Sequence, residues 1–266
     1  MLTLSSGDSY SQTGFNVAST KPSSTNPLGN PAYPGYTSSG GPNWIGYLVK
    51  NYNSTLLYSY NFADGGATVN ASLVTPFRPT VKSFIDQVKL FSDSIAKKPS
   101  YANWTGETAV FMVWLGVNDV GNSYSRADEA ALLGKIMDSY FSQLEILYNA
   151  GARTFALLSV PPIDKTPMML AQSKNSQDTE AGVIKQFNAL LSDRLKEFMA
   201  SHTGSQGWVV DTQKPFNQAI SDPTKYGSKD ATCYNSDGKS CLWYNDYHPG
   251  TAIHNLVAAA VAEIWR

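Results

Sequence analysis

The chain has few of the features that mark membrane-spanning or nucleic-acid-binding proteins. Its 266 residues contain no apolar run of about 18 residues, the length that a membrane-spanning helix needs. Only 15% of the residues are charged, and the net charge is -1, so the sequence offers no basic surface for a phosphate backbone. We therefore expect neither a membrane nor a nucleic acid as a partner.

Cysteine and histidine are scarce, with two and three residues respectively. Cys233 and Cys241 share a loop rich in Gly, Ser, Asp and Asn, which indicates a local disulfide in a secreted protein, the alternative being two free thiols. Two cysteines in one loop and scattered histidines do not make a metal site, so we expect no metal and no cofactor. No leader segment precedes the first turn, so we expect that any native leader has been removed or never existed.

The apolar pattern predicts one α/β domain over residues 1–266. Runs that are continuously apolar, or that alternate, predict strands near the start of the chain and at 56–62, 109–116, 154–162 and 207–211. Helical spacing of apolar residues predicts helices at 44–52, 81–97, 127–151, 180–202 and 251–266. Strands that alternate with helices favour a parallel sheet covered by helices on both faces.

The turns that follow three of these strands carry residues suited to chemistry. The first strand ends in Gly7-Asp8-Ser9, the second is followed by Gly65-Gly66, and the third by Gly116-Val117-Asn118-Asp119. Ligand sites in parallel α/β sheets lie at the carboxyl ends of the strands. Ser9 is therefore either a turn or helix-cap residue or a nucleophile, and a long Pro/Gly/Ser/Thr-rich loop at 21–44 is expected to form a wall of its cleft.

A serine nucleophile needs an imidazole base, a group that orients the imidazole, and donors for the oxyanion. Gly66 can present its backbone N–H without a side chain in the way, and Asn118 can add a side-chain amide. Of the histidines, His202 closes a helix and suits the helix dipole there, while His254 lies inside the last helix. His248 lies in a loop just before Pro249 and is the candidate base.

Four stretches resemble the conserved blocks of the SGNH (GDSL-type) hydrolases, in the same order along the chain: GDSYSQTGF, the glycine of NFADGGAT, GVND and YHPG. TNPLGNPAYPGYTSSGGPNW and YNFADGGATV also resemble the secreted fungal acetyl esterases of carbohydrate esterase family 16. The resemblance implies a three-layer α/β/α, flavodoxin-like fold with a five-stranded parallel sheet. It implies Ser9 as nucleophile, His248 as base, and an oxyanion hole formed by the N–H groups of Ser9 and Gly66 with the Asn118 amide.

One position departs from the family pattern. The acid that the family usually carries three residues before the histidine is replaced by Asn245, and Asp246 stands two residues before it. Asn245, Asp246 or a backbone carbonyl could therefore orient His248. We favour Asp246 slightly, because a full charge stabilises the imidazolium better than a neutral amide does.

The resemblance implies an acetylesterase that acts on acetylated hemicellulose-derived sugars through an acetyl-serine intermediate. Together with the two-cysteine loop it favours a location outside the cell, and we expect a monomer. The polar loop beside Ser9, which lacks the apolar surface of a lipase lid, also favours a short acyl group. The alternatives are a lipase or general short-chain esterase, and a catalytically decayed carbohydrate-binding protein. Further candidates for contact with substrate are the residue before the serine and several aromatic side chains that otherwise belong to the core: Asp8, Trp114, Tyr124 and Tyr247, with Trp243 and Tyr244 nearby.

Overall fold

The computed structural model describes residues 1–265, and its centre is a sheet of five parallel strands. The strands are β1 (Leu2–Gly7), β2 (Tyr58–Asn61), β3 (Ala109–Trp114), β4 (Thr154–Leu158) and β5 (Gln206–Val210). Their spatial order is β2-β1-β3-β4-β5. The central strand β3 is buried along its whole length, as expected for a parallel sheet with both faces covered, whereas Trp208 and Val209 of the edge strand β5 are half-buried.

Helices connect the strands and fall into two groups that pack among themselves. The helices are α1 (Trp44–Asn51), α2 (Phe84–Asp93), α3 (Val117–Gly121), α4 (Glu129–Asn149), α5 (Pro167–Leu170), α6 (Lys174–Ser201), α7 (Gln213–Ser221) and α8 (Thr251–Ala262). In one group α1 packs on α8 and α8 on α7, and in the other α2 packs on α4 and α4 on α6. Right-handed crossovers place α1 on one face of the sheet and α2, α4 and α6 on the other, because the chain reverses direction across the sheet after β2.

The sheet register brings the turns after β1, β2 and β3 to one edge. Ser5 pairs with Asn61, and Gly7 pairs with Trp114, so that all three strands end side by side. Between Gly7 and Trp44 the chain forms neither a helix nor a strand, which agrees with the predicted loop at 21–44. The α/β fold with its parallel sheet is therefore the one predicted from the sequence.

Several helices differ from the sequence prediction, among them α3, which forms where only a turn was predicted. α6 begins at Lys174, six residues before the predicted start, because Ser173 caps it by accepting a hydrogen bond from Ser176 N. The short α5 and α7 were not predicted, since α5 has four residues and α7 contains Pro215, which reads as a helix breaker. No helix within residues 1–265 is both long and apolar enough to cross a bilayer.

Candidate active site

Ser9 lies in a tight turn directly after β1. The turn is closed by the main-chain oxygen of Asp8, which accepts hydrogen bonds from Ser11 N at 3.1 Å and Gln12 N at 2.8 Å. The Asp8 carboxylate accepts a further hydrogen bond from Tyr10 N at 2.9 Å. These hydrogen bonds fix the turn and hold the Ser9 hydroxyl at the edge of the sheet. Ser9 itself keeps 9% of its surface exposed.

Gly7 sets the close packing beneath this turn. A Cβ atom at Gly7 would lie 2.8 Å from Ser11 Cβ and 2.9 Å from the Trp114 carbonyl oxygen, which leaves no room for a side chain. The buried Gln87 amide pairs with both main-chain groups of Gly7, accepting from its N–H at 2.9 Å and donating to its oxygen at 2.8 Å. The end of β1 is therefore fixed by a side chain from α2 that the sequence analysis did not identify.

Ser9, His248 and Asn245 form a continuous chain of hydrogen bonds. His248 Nε2 lies 2.8 Å from Ser9 Oγ, and His248 Nδ1 lies 3.0 Å from Asn245 Oδ1. An amide oxygen can only accept, so Nδ1 carries the proton and Nε2 is left as the acceptor for the serine hydroxyl. This is the tautomer that a general base needs.

Asn245, and not Asp246, is the residue in contact with the imidazole. Its Oδ1 also accepts hydrogen bonds from Tyr247 N at 2.9 Å and His248 N at 2.7 Å, so one oxygen organises the whole loop. The slight preference for Asp246 is corrected on this point: its side chain is exposed, and its main-chain oxygen accepts from Met168 N. Burial lowers the pKa of His248 to about 4, and the charge of Asp246 opposes that shift from a distance.

The candidate oxyanion donors lie on the two neighbouring turns. Gly66 adopts a φ of 83°, and a Cβ atom there would clash with Phe77, so glycine is required. Asn118 Nδ2 donates to the Ala67 oxygen at 3.0 Å, which fixes the amide and leaves its second N–H available. Within the described chain, the N–H groups of Ser9 and Gly66 have no main-chain acceptor. The three donors belong to residues that line one cavity.

A buried carboxyl joins these two turns. Both oxygens of Asp119 accept from Val69 N, at 3.0 and 3.2 Å, which ties α3 to the segment that follows Gly66. Asp119 and Asp8 are both fully buried, and burial raises the pKa of each carboxyl to about 7. Part of the sequence block around Asn118 therefore acts in positioning the turn, a role the sequence analysis did not assign to Asp119.

The serine and histidine open into a cleft of about 820 Å³. Ser9, Gly66, Asn118 and His248 line it together, as does Tyr247, so these five predicted residues share one cavity. Ser38, from the predicted loop wall, lines it as well. Several residues of the wall were not predicted from the sequence and come from the segment after Gly66 and from α5 and α6: Phe77, Arg78, Met168, Met169 and Glu180.

Two of the other predicted substrate contacts, Trp114 and Asp8, are wrong because both side chains are buried, whereas Tyr124 stays a prediction. Trp114 is fully buried, and its Nε1 donates to the Ser159 oxygen at 2.9 Å beneath the sheet edge. Asp8 has no exposed surface, because its carboxylate faces the turn that it closes. Tyr124 packs partly buried against the core, outside the residues that line the cleft. Trp243 is likewise fully buried.

The remaining predicted groups lie away from the cleft. At the end of α6, His202 Nε2 lies 2.7 Å from a carboxylate oxygen of Glu145. His254 is buried in α8, and burial lowers its pKa to about 3. Cys233 and Cys241 form a disulfide, as predicted. Within the described residues, no group of three or more His, Cys, Asp or Glu side chains is arranged to hold a metal ion.

The arrangement agrees with comparisons to known proteins. The family model of the GDSL-like lipases and acylhydrolases matches residues 6–261. The chain is 58% identical over 261 residues to an acetylesterase of Thermothelomyces thermophilus, covering 98% of this chain and 86% of the relative. It is also 25% identical to the thermolabile hemolysin of Vibrio parahaemolyticus, covering 97% of this chain and 62% of the relative.

The fold has counterparts among solved structures. An acetylxylan esterase from Geobacillus stearothermophilus superposes with a TM-score of 0.54 at 17% sequence identity, covering 98% of this chain and 92% of the other. At that identity the likeness concerns the fold alone. It agrees with the α/β fold and with the parallel sheet described above.

Proposed function

The chain belongs to the family of GDSL-like lipases and acylhydrolases, and from this premise we propose that it removes O-acetyl groups from acetylated hemicellulose-derived sugars through an acetyl-serine intermediate. It is a carboxylic ester hydrolase, as the acetylesterase that shares 58% of its sequence indicates. The observation that carries the proposed mechanism is the hydrogen-bonded chain Ser9–His248–Asn245, which opens into the cleft.

Acylation follows from the positions of these groups. His248 Nε2 takes the proton of Ser9 Oγ as that oxygen attacks the acetyl carbonyl carbon. The negative charge that forms on the carbonyl oxygen is held by the N–H groups of Ser9 and Gly66 and by the Asn118 amide. The imidazolium then gives its proton to the oxygen of the sugar alcohol, the C–O bond breaks, and acetyl-Ser9 remains.

Deacylation uses the same groups in reverse. His248 takes a proton from water, the water oxygen attacks the acetyl carbonyl, and the second tetrahedral intermediate expels Ser9 Oγ, which recovers its proton from the imidazolium. Acetate leaves. Asn245 holds the imidazole in its tautomer but, being neutral, gives the imidazolium less stabilisation than a carboxylate would.

A general esterase or lipase is the second candidate, and the apolar side chains of the cleft wall favour it: Phe77, Met168 and Met169. Hydrolysis of 4-nitrophenyl esters of increasing acyl length separates the two, since a lipase prefers octanoate to acetate. A decayed binding protein is not favoured, because it has no need of an intact serine-to-histidine hydrogen bond.

Location and assembly belong to the same proposal. The local disulfide and the resemblance to secreted esterases support a protein outside the cell. We expect one catalytic domain that acts as a monomer, which the mass of the active species in size-exclusion chromatography tests.

The test of the function is acetate release from acetylated xylo-oligosaccharides by wild type, Ser9→Ala and Ser38→Ala. Ser38 is the matched control because it lines the same cleft, while the hydrogen bonds of the His248 ring go to Ser9 and Asn245. We expect release by wild type and Ser38→Ala and at least a thousandfold loss in Ser9→Ala, the scale at which removal of a triad nucleophile acts. Release by Ser9→Ala would overturn the mechanism, and no release by wild type would overturn the substrate class.

A further inference from the structure

Glu180 is a buried acid that the mechanism does not use. It lies in α6, keeps 1% of its surface exposed and lines the cleft. Its Oε2 has no hydrogen-bond partner, and no ion pair reaches its carboxyl within residues 1–265. Buried carboxyls in native proteins are nearly always hydrogen-bonded, so an isolated one in a cleft wall points to a partner that arrives from outside.

Gly121 keeps the space in front of Glu180 open. A Cβ atom at this position would lie 2.9 Å from Tyr247 Oη and 4.0 Å from Glu180 Oε1, and all three residues line the cleft. Tyr247 Oη is itself weakly engaged, since its contact with the Val117 oxygen is 3.4 Å long. The carboxyl and the phenol hydroxyl thus border one small polar space.

That space lies beside the candidate base, because the ring centroids of Tyr247 and His248 are 5.6 Å apart and both residues line the cleft. We propose that the Glu180 carboxyl and the Tyr247 hydroxyl form a subsite that binds a free hydroxyl group on the alcohol part of the ester. The subsite rests on the proposed function, since acetylated sugars carry free hydroxyls near the ester. It deepens that function by naming the groups that distinguish a sugar acetate from a simple acetate.

The chemistry of the two groups suits a hydroxyl. Burial and the nearby charge of Asp164 raise the pKa of Glu180 to about 7, so near neutral pH the carboxyl both donates and accepts hydrogen bonds. Burial also raises the pKa of Tyr247, which therefore stays protonated. A substrate hydroxyl can donate to one group and accept from the other, which gives the carboxyl a hydrogen-bond partner that the protein does not supply.

Glu129 offers a matched control. It too is a buried acid with one oxygen lacking a partner, but its other oxygen accepts from Ser123 Oγ at 2.9 Å, and it does not line the cleft. The variants are Glu180→Met, which keeps the length and removes the polar atoms, Glu180→Gln, which keeps hydrogen bonding, and Glu129→Met. Each is assayed with acetylated xylo-oligosaccharides, glycerol monoacetate and 4-nitrophenyl acetate, and its Tm is measured.

We expect Glu180→Met to raise KM for the two hydroxyl-bearing acetates by roughly tenfold or more, the size of one lost hydrogen bond, with kcat much less affected. Its kcat/KM for 4-nitrophenyl acetate stays within about threefold, since that alcohol has no free hydroxyl. Glu180→Gln recovers most of the KM. The Tm of Glu180→Met does not fall, because replacing an unpaired buried carboxyl with an apolar group is neutral or stabilising. Glu129→Met leaves the substrate preference unchanged.

The outcomes separate this inference from the proposed function. Equal losses on all three esters, or a lower Tm in Glu180→Met with no change in substrate preference, would make Glu180 a structural residue and overturn the subsite. Wild-type hydrolysis of 4-nitrophenyl acetate without acetate release from the oligosaccharides would overturn the sugar substrate alone. Glycerol monoacetate then decides the subsite, because its free hydroxyls offer the same contact.

Discussion

The hydroxyl of Tyr10 donates a hydrogen bond of 2.6 Å to the main-chain oxygen of Tyr247, joining residues 237 positions apart. Tyr10 directly follows Ser9, and Tyr247 directly precedes His248. The bond therefore links the backbone next to the candidate nucleophile to the backbone next to the candidate base. Tyr10 is fully buried and stacks edge-on against Trp114, so its ring position is set by the core.

Tyr10→Phe tests this link. The change leaves the ring in place but removes the donor, so the carbonyl of Tyr247 loses its partner and the His248 loop is held less firmly. We expect kcat for 4-nitrophenyl acetate to fall by about tenfold, because misplaced catalytic groups lose rate steeply with distance. KM changes little.

Tyr60→Phe is the control for a general loss of stability. Tyr60 is also fully buried, and its hydroxyl donates to the Tyr101 oxygen at 2.8 Å, away from the cleft. Both variants are expected to lower Tm to a similar degree, while only Tyr10→Phe lowers kcat. Equal kcat in the two variants would show that the Tyr10 bond contributes to folding alone.

Substitutions at Asn245 and Asp246 test whether the imidazole of His248 is oriented by the residue that contacts it or by the residue that carries a charge. Asn245→Ala removes the acceptor of His248 Nδ1 and of two loop N–H groups, and we expect kcat to fall about a hundredfold, a typical cost for losing the group that orients a base. Asp246→Ala is expected to stay within threefold of wild type, since its side chain does not contact the imidazole. The reverse ranking in steady-state kinetics would restore Asp246 as the orienting residue.

The pH profile follows from the burial of His248. Only the neutral imidazole accepts the serine proton, and burial lowers its pKa to about 4, so kcat/KM should stay flat from pH 7 down to about 5 and fall by half near pH 4. Acetate release from phenyl acetate, with circular dichroism at each pH to confirm folding, measures the profile.

Asn245→Asp is the matched change for that profile. A carboxylate can accept the same three hydrogen bonds and adds a negative charge beside Nδ1, which favours the imidazolium and raises the pKa of His248. The acid limb of the kcat/KM profile should then move to higher pH by at least one unit. A wild-type limb near pH 6.5, or a limb that the substitution does not move, contradicts this account of the site.

Much of the site was predictable because its key residues lie in short turns at strand ends. Ser9, Gly66 and Asn118 follow strands whose apolar runs can be read from the chain, and the parallel sheet brings the ends of those strands together. His248 could be chosen among three histidines because the sequence places His202 at the end of a helix and His254 within one. In each case the local sequence carries both the turn and the reactive group.

What depends on packing between distant segments was not predictable. Trp114 and Tyr247 are both aromatic residues near sequence blocks, but Trp114 ends a strand buried on both faces whereas Tyr247 lies in a loop and lines the cleft. Glu180 sits on a helix far in sequence from every block, and only the packing of α6 against the cleft reveals it. The contact of Asn245, and not Asp246, with His248 could not be predicted either, because the spacing of residues in a loop does not determine the direction of their side chains.

Asp8→Asn tests the burial of the acid beside the nucleophile. Burial raises its pKa from 3.8 to about 7, so the folded protein holds this proton more tightly than the unfolded chain does. The contribution of the Asp8 carboxyl to the free energy of unfolding is then largest below pH 3.8 and is lost as the pH rises through 7. An asparagine can still accept from Tyr10 N but does not ionise. We therefore expect the Tm of Asp8→Asn relative to wild type to increase between pH 4 and pH 8.

The size of the increase is set by the pKa shift, which corresponds to at most about 4 kcal/mol when the acid is fully ionised. Asp93→Asn serves as the control. Asp93 is exposed, and its hydrogen bond and charge contact with Lys89 lower its pKa, so its removal should make Tm at pH 8 slightly lower or leave it unchanged. Thermal unfolding followed by circular dichroism at pH 4, 6 and 8 measures both variants. A difference for Asp8→Asn that stays constant across this range would mean that the Asp8 carboxyl ionises normally in the folded protein, and that the turn beside Ser9 is open to water.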